Sequence, residues 1–270
     1  MSLLLIVSLV VLGCCTGFLA GLLGVGGGMM LVPFMTILFT AIGFPIEAVV
    51  HMAIATSMAT ILFTSLSSVR AHHQRGAVLW PVVLRLAPGI LIGGIIGGGA
   101  VFAVLKTGYL SLVFACFVGF SAFKMLRSSK TTVTRQMPGT AGMLTAGSVI
   151  GFVSSLVGAG GGFISVPFMT WCNIAIHNAV ATSAALGFPI AVASVIGYVW
   201  SGLQQTGLPP GSFGYIYLPA LAAVASASVV TAPFGARVAH SMNVAQLKKA
   251  FALLLFCLAS YMLYKAIRTL

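Results

Sequence analysis

Only one carboxylate, Glu47, stands against 13 lysines and arginines in the 270 residues of this chain. Proton pumps and cation carriers build their intramembrane relays from acidic side chains, so this shortage argues against a cation as cargo and favours an anion. Charge of either sign is scarce: charged residues make up 5% of the chain and hydrophobic residues 60%. A water-facing surface of ordinary size cannot be built from that balance, which excludes a soluble globular domain. Metal-ligand spacing is missing as well, because Cys14, Cys15, Cys116, Cys172 and Cys257 all fall in apolar stretches. They read as packing residues, with no metal site and no disulfide framework. The glycine clusters do not continue into Gly-Lys-Ser/Thr and do not fit the dinucleotide spacing, so no nucleotide site or cofactor is expected. No nucleophile-base pair or carboxylate dyad can be assembled, which argues against an enzyme. The formal charge of +12 is spread over short loops and helix ends, such as LRSSKTTVTR (126–135), with no basic face interleaved with aromatics. Membrane topology explains that distribution, and nucleic acid is not an expected partner.

What is present is long apolar sequence. Eight stretches, near 3–23, 46–69, 82–105, 109–126, 140–157, 178–200, 214–233 and 247–266, have about the 20 residues that a helix needs to cross a lipid bilayer. Two shorter apolar pieces, 29–42 and 163–176, follow glycine clusters and have the length of half-helices. The first stretch has no Lys or Arg at its start and runs on into further apolar sequence, so it is expected to be retained rather than cleaved. The fold class is an all-α integral membrane protein.

The chain also repeats itself. GFLAGLLGVGGGMMLVPFMT (17–36) and GFVSSLVGAGGGFISVPFMT (151–170) match at 12 of 20 positions without a gap, and HMAIATS (51–57) matches HNAVATS (177–183) at five of seven. The polar segment LRSSKTTVTRQMPG (126–139) separates the copies. Two transmembrane repeats, 1–135 and 136–270, are therefore expected, each of about four spanning helices plus one glycine-broken half-helix. Loop charge addresses their mutual orientation. Segment 67–80 carries Arg70 and Arg75, whereas its counterpart 201–214 carries no charge, which favours inverted repeats, at the cost of Lys265 and Arg268 at the outer end.

Several residues carry the candidate chemistry. Gly26, Gly27 and Gly28, and Gly160, Gly161 and Gly162, sit where a membrane helix would otherwise continue. A broken helix at that depth frees backbone groups that protein, water or ligand must satisfy, and the N-terminus of the following half-helix suits an anion. The alternative use of such glycines is close helix packing, for which Gly17-Gly21 and Gly94-Gly98 also have the spacing. Thr56-Ser57 and Thr182-Ser183 offer neutral hydroxyl donors, or else bond their own helix backbone. His51 and His177 open the same helices and are membrane-embedded site candidates, with capping or bridging as their plainer role. Glu47 reads as a first-turn carboxylate. The cluster Arg70, His72, His73, Gln74 and Arg75 serves orientation first and anion attraction second.

These residues carry a family resemblance. GLLGVGGGMMLVPFM (21–35), AIATS (53–57), the loop ending RGAVLW (75–80) and the second block LVGAGGGFISVPFM (156–169) resemble the TauE/SafE sulfite exporter family over essentially the whole chain. The resemblance implies a multi-pass protein of the bacterial inner membrane that moves sulfite or an organosulfonate such as sulfoacetate, usually outward. Members often carry an aspartate in a G-x-V-D-W segment, where this chain has Leu79 before Trp80. The function expected is that of a secondary transporter working by alternating access, with a passive anion channel as the alternative. Its expected partners are the anion and the lipid bilayer, and a homodimer is compatible with the sequence.

Overall fold

The computed structural model describes residues 3–24, 27–126, 136–239 and 245–269, with the side chains of 245–251 left aside. The boundary expected near residue 135 lies outside the described residues. Ten helices follow in order: α1 Leu3–Leu23, α2 Gly28–Ala41, α3 Val49–His73, α4 Trp80–Val104, α5 Thr107–Leu126, α6 Thr140–Val157, α7 Gly162–Trp171, α8 Ile176–Leu203, α9 Leu218–Ala239 and α10 Ala245–Thr269. Among the described residues, eight are long and apolar enough to cross a membrane, and α2 and α7 are the short arms. The protein is thus an all-α membrane protein, with one small antiparallel hairpin, Ser212–Phe213 with Ile216–Tyr217, between α8 and α9. That hairpin occupies sequence expected to begin a spanning helix at 214; α9 starts instead at Leu218.

Small residues set the packing. α1 lies against α9, where Gly13 meets Val224, Gly17 meets Ser228 and Gly21 meets Ala232, and a Cβ at Gly21 would strike the Ala232 carbonyl. α4 lies against α6 in the same manner: Gly89 meets Leu144, Gly93 meets Ser148 and Gly97 meets Ser155. Without a hydrophobic driving force between helices in lipid, such close backbone approach supplies the van der Waals contact that holds them. The pair Gly17-Gly21 therefore serves helix packing, as does Gly94-Gly98 against Ala193 and Ser194 of α8. Where α4 passes α6 and α8 its turn widens into a π-helical stretch, Ile96–Val101, that contains Gly97, Gly98 and Gly99.

α3 and α8 form the centre. α3 is the most enclosed helix, with Val49 through Ile61 all buried, and α8 is buried from Ala181 to Gly187. The outer helices show broad apolar faces, including Leu3, Leu4, Leu84, Val104, Phe120 and Ile267. That inside-out distribution suits lipid as the surrounding solvent.

Candidate functional site

The two glycine breaks meet beside this central pair. α1 ends at Leu23, Gly24 turns the chain at φ +65°, and Gly27 at φ +70° opens α2. α6 ends at Val157, Gly158 turns at φ +69°, and Gly161 at φ +75° opens α7. These left-handed conformations are ones a Cβ resists, which explains glycine at those positions. A Cβ at Gly28 would collide with the carbonyl of Gly158, so backbone of one copy rests directly on backbone of the other. Gly160 and Gly162 are buried in the second break. Gly26 lies outside the described residues.

The Thr-Ser pairs reach across the same junction. The Ser183 hydroxyl donates to the Gly24 carbonyl at 2.9 Å and receives a bond from Ser165 at 2.8 Å. Its counterpart Ser57 donates to the Gly158 carbonyl at 3.4 Å, a longer and weaker contact. Thr56 accepts the Tyr217 backbone N–H at 3.0 Å, and Thr182 accepts the Leu79 backbone N–H at 3.0 Å. All four side chains are 0% exposed. Apart from the Ser165–Ser183 bond, which lies within the second copy, these bonds run from one copy to the other, so the hydroxyls expected to face an anion satisfy backbone groups that the breaks and loops leave open.

A further matched pair lies one to two turns from the breaks. His72 Nε2 contacts the Gly21 carbonyl at 3.1 Å, and Tyr198, at the equivalent place in α8, donates to the carbonyl of Ser155, the equivalent of Gly21. His51 and His177 are not equivalent in the structure. His51 is buried, lies 2.9 Å from the Leu105 carbonyl and 3.3 Å from Thr107 Oγ1, and stacks on Tyr215 with ring centroids 5.0 Å apart. His177 is exposed. Glu47 is exposed, and its backbone carbonyl receives the Thr107 hydroxyl.

A narrow cleft of about 10 Å³, room for about one water, opens beside the breaks. Ala20 and Gly24 of the first copy and Gly160 of the second form one wall; Thr64, Ser65 and Ser68 of α3 face Ser183, Ala184 and Gly187 of α8 across it. A Cβ placed on Gly187 would lie 3.5 Å from that of Ser65, so α3 and α8 approach closely there. No charged side chain lines it among the described residues. Thr64 bonds Ser228 of α9 at 2.7 Å, and Ser65 bonds the Leu62 carbonyl. The Ser68 hydroxyl, on a residue 2% exposed, has no hydrogen-bond partner among the described residues.

The model of the family described as "Sulfite exporter TauE/SafE" matches residues 9–262. The chain belongs to the TauE/SafE sulfite exporter family. Among its relatives, a "Probable membrane transporter protein" of Haemophilus influenzae is 36% identical over 254 residues, covering 94% of this chain and 96% of that protein. "Probable membrane transporter protein MJ0441" of Methanocaldococcus jannaschii is 22% identical over 262 residues, 97% of this chain and 96% of that one. "Probable membrane transporter protein YdhB" of Bacillus subtilis is 26% identical over 205 residues, 69% and 76% of the two chains. No solved structure matches this chain. This TauE/SafE protein is accordingly a multi-pass membrane transporter.

Within this TauE/SafE chain, the structure brings Gly160 and Ser183 to the cleft and sets Thr56, Ser57 and Thr182 behind it as ties between the copies. Sequence reasoning did not single out Thr64, Ser65 or Ser68 as cleft residues. The signal available was the hydroxyl-rich run Thr60, Thr64, Ser65, Ser67 and Ser68, of which the second copy repeats only the last, as Ser194.

Proposed function

We propose that this protein is a secondary carrier that exports a small sulfur-containing anion, sulfite or an organosulfonate such as sulfoacetate, by alternating access across the inner membrane. The observation that carries the reading is the cleft itself, formed by a glycine break from each copy and lined by neutral hydroxyls with no charged side chain among the described residues. Neutral donors and helix N-termini hold an anion without the tight ion pairing that would prevent its release. Gly27, Gly28, Gly160, Gly161 and Gly162, with Gly26, shape the site, and Ser183 faces it. Thr56, Ser57 and Thr182 position the backbone around it. His51 and His177 lie outside it.

The two repeats, 1–135 and 136–270, are inverted in this reading, and the packing supports it. Along α1, α3 and α9, contacts advance in the same direction: Gly13 to Val224 then Gly21 to Ala232, and Thr56 to Tyr217 then Thr64 to Ser228. The same holds along α4, α6 and α8: Gly89 to Leu144 then Gly93 to Ser148, and Leu79 to Thr182 then Gly98 to Ser194. Residues 74–79 join α3 to α4 as a tight turn, so the first set crosses opposite to the second. Each helix of the first copy then runs counter to its equivalent in the second, the arrangement on which rocking carriers depend.

Uptake of labelled sulfite, sulfoacetate, taurine and sulfate into proteoliposomes, with and without a pH gradient, tests the proposal. Saturable uptake of a sulfur anion with counterflow exchange is expected. Uptake without counterflow, at rates far above a carrier's, would identify a channel, and no uptake of any of the four would refute the reading.

A further inference from the structure

The cleft has room for about one water, so cargo reaches it only after a wall moves aside. Gly24 and Gly160 carry the two breaks to that wall, and the short arms that follow them, α2 and α7, differ in how firmly they are held. The matched sequences allow a comparison residue by residue. On α2, Met30, Val32 and Thr36 are buried; on α7 their equivalents Ile164, Val166 and Thr170 are part-exposed. α2 packs on α1, α3 and α10, whereas α7 packs chiefly on α8. At the far end of α2, Lys265 of α10, a residue 9% exposed, donates to the Thr40 hydroxyl at 2.8 Å. That bond sets a cation at the negative end of the helix. α7 carries Ser165 where α2 has the buried Leu31, and Ser165 bonds Ser183 of the cleft wall at 2.8 Å.

We propose that α7 is the arm that moves in the transport cycle while α2 stays fixed, and that α7 swings into a groove on its outer side that lipid acyl chain fills. This rests on the carrier reading above and deepens it. The groove, of about 310 Å³, lies between α6 and α7 and is lined by Thr145, Ala146, Val149, Ile150, Ile164 and Phe168. Its one polar side chain, Thr145, donates to the Gly142 carbonyl at 3.0 Å, so nothing in the lining asks for water or a charged partner. The groove continues the lipid-facing surface, where Val149 is 57% exposed, Leu144 40% and Trp171 44%. Gly147 and Gly151, the small residues through which α6 could dock a second chain, are already taken by α4. Acyl chain is therefore the occupant. Sliding through lipid costs α7 little, because acyl chains match apolar side chains in polarity, whereas displacing α2 would open a void in close-packed protein. The swing breaks the Ser165–Ser183 bond and draws Gly160 with it; Ser183 and Gly160 both line the cleft, which widens as a result. Gly158 and Gly161, at φ +69° and +75°, form the turn about which the arm moves.

The test uses the full chain in proteoliposomes with labelled sulfite. Ala146→Phe and Val149→Trp fill the groove from its lipid side; each should keep the wild-type Tm and lower uptake kcat by about tenfold or more with KM unchanged, as expected when a conformational step is slowed. Ile37→Trp gives α2 the residue that α7 carries at the equivalent Trp171, and should leave uptake unchanged. The occupant is read separately. In a chain whose Trp80, Trp171 and Trp200 are each replaced by phenylalanine, Phe168→Trp should be quenched by phosphatidylcholine brominated along its acyl chains, equally at low and high protein density. No quenching, or quenching lost as the protein is concentrated in the bilayer, puts protein in the groove and overturns the lipid assignment. Unchanged uptake in the groove-filling variants, a loss matched by a lower Tm, or an equal loss in Ile37→Trp overturns the moving arm while the carrier reading stands. Absence of wild-type uptake for every sulfur anion overturns the carrier reading and the moving arm together, while the quenching still decides the occupant.

Discussion

Replacing Thr182 by valine removes one oxygen and keeps the shape of the side chain. That oxygen is the acceptor of the Leu79 N–H at 3.0 Å, on a residue 0% exposed. With the acceptor gone, the amide has no water to turn to, and a buried donor left unsatisfied costs about 1–3 kcal/mol. Thr56→Val strands the Tyr217 N–H in the same way. For a chain of this size each kcal/mol is worth about 2–4 °C, so each single variant should lose about 2–12 °C of Tm. The two ties have no common partner, and the double variant should lose close to the sum. Thr182→Ser keeps the oxygen and should stay near wild type. Thermal unfolding in detergent at a fixed scan rate, followed by tryptophan fluorescence, measures the series. Threonine-to-valine variants as stable as wild type would refute the account of these hydroxyls as ties between the copies, and would return them to the set of groups available to cargo.

Two further outcomes follow from local geometry. Gly28→Ala places a Cβ into the Gly158 carbonyl, whereas Gly43→Ala, at φ +81° with open space around it, adds only left-handed strain of about 1–2 kcal/mol; size-exclusion profiles should show Gly28→Ala misassembled and Gly43→Ala intact. His51→Ala empties a space between Tyr215 and Phe102 and should cost about 3–5 kcal/mol, on the scale of an aromatic truncation, while His177→Ala, at an exposed site, should stay within about 0.5 kcal/mol of wild type by thermal unfolding.

Hydropathy and glycine placement made the helices legible. A run such as 3–23 has one structural use in lipid, and Gly24 with Gly27, or Gly158 with Gly161, sits where only a positive φ lets the chain turn into a short arm. The partners of the Thr-Ser steps were not legible, because Tyr217 lies 161 residues from Thr56 and Leu79 lies 103 from Thr182. Nothing local in either segment announces that a backbone N–H will arrive there. The histidines show the reverse error. Their matched positions suggested matched roles, but His51 is buried against Tyr215 and His177 is exposed, so identical residues met different surroundings. The start of α9 shifted from 214 to Leu218 because Gly211 and Gly214, both at positive φ, favour a hairpin over a helix.

Repetition was the strongest signal in this sequence, and it points to what the two copies must share: breaks, ties and the close backbone contact between them. A carrier for one cargo needs something more, since a perfectly symmetric pair of clefts would offer two weak sites. The difference between copies lies in three pairs, Thr64 with Ile190, Ala184 with Met58 and Gly187 with Ile61, each placing a bulkier apolar residue on the side that is filled. Burying an isoleucine or methionine is worth about 1.5–3 kcal/mol, so this plug stabilises the junction on one side. The open side forgoes that gain, and each side keeps a buried serine hydroxyl without a partner among the described residues, Ser68 on one and Ser154 on the other. Function is therefore to be sought where the copies differ, at the one place the matched motifs leave unmarked.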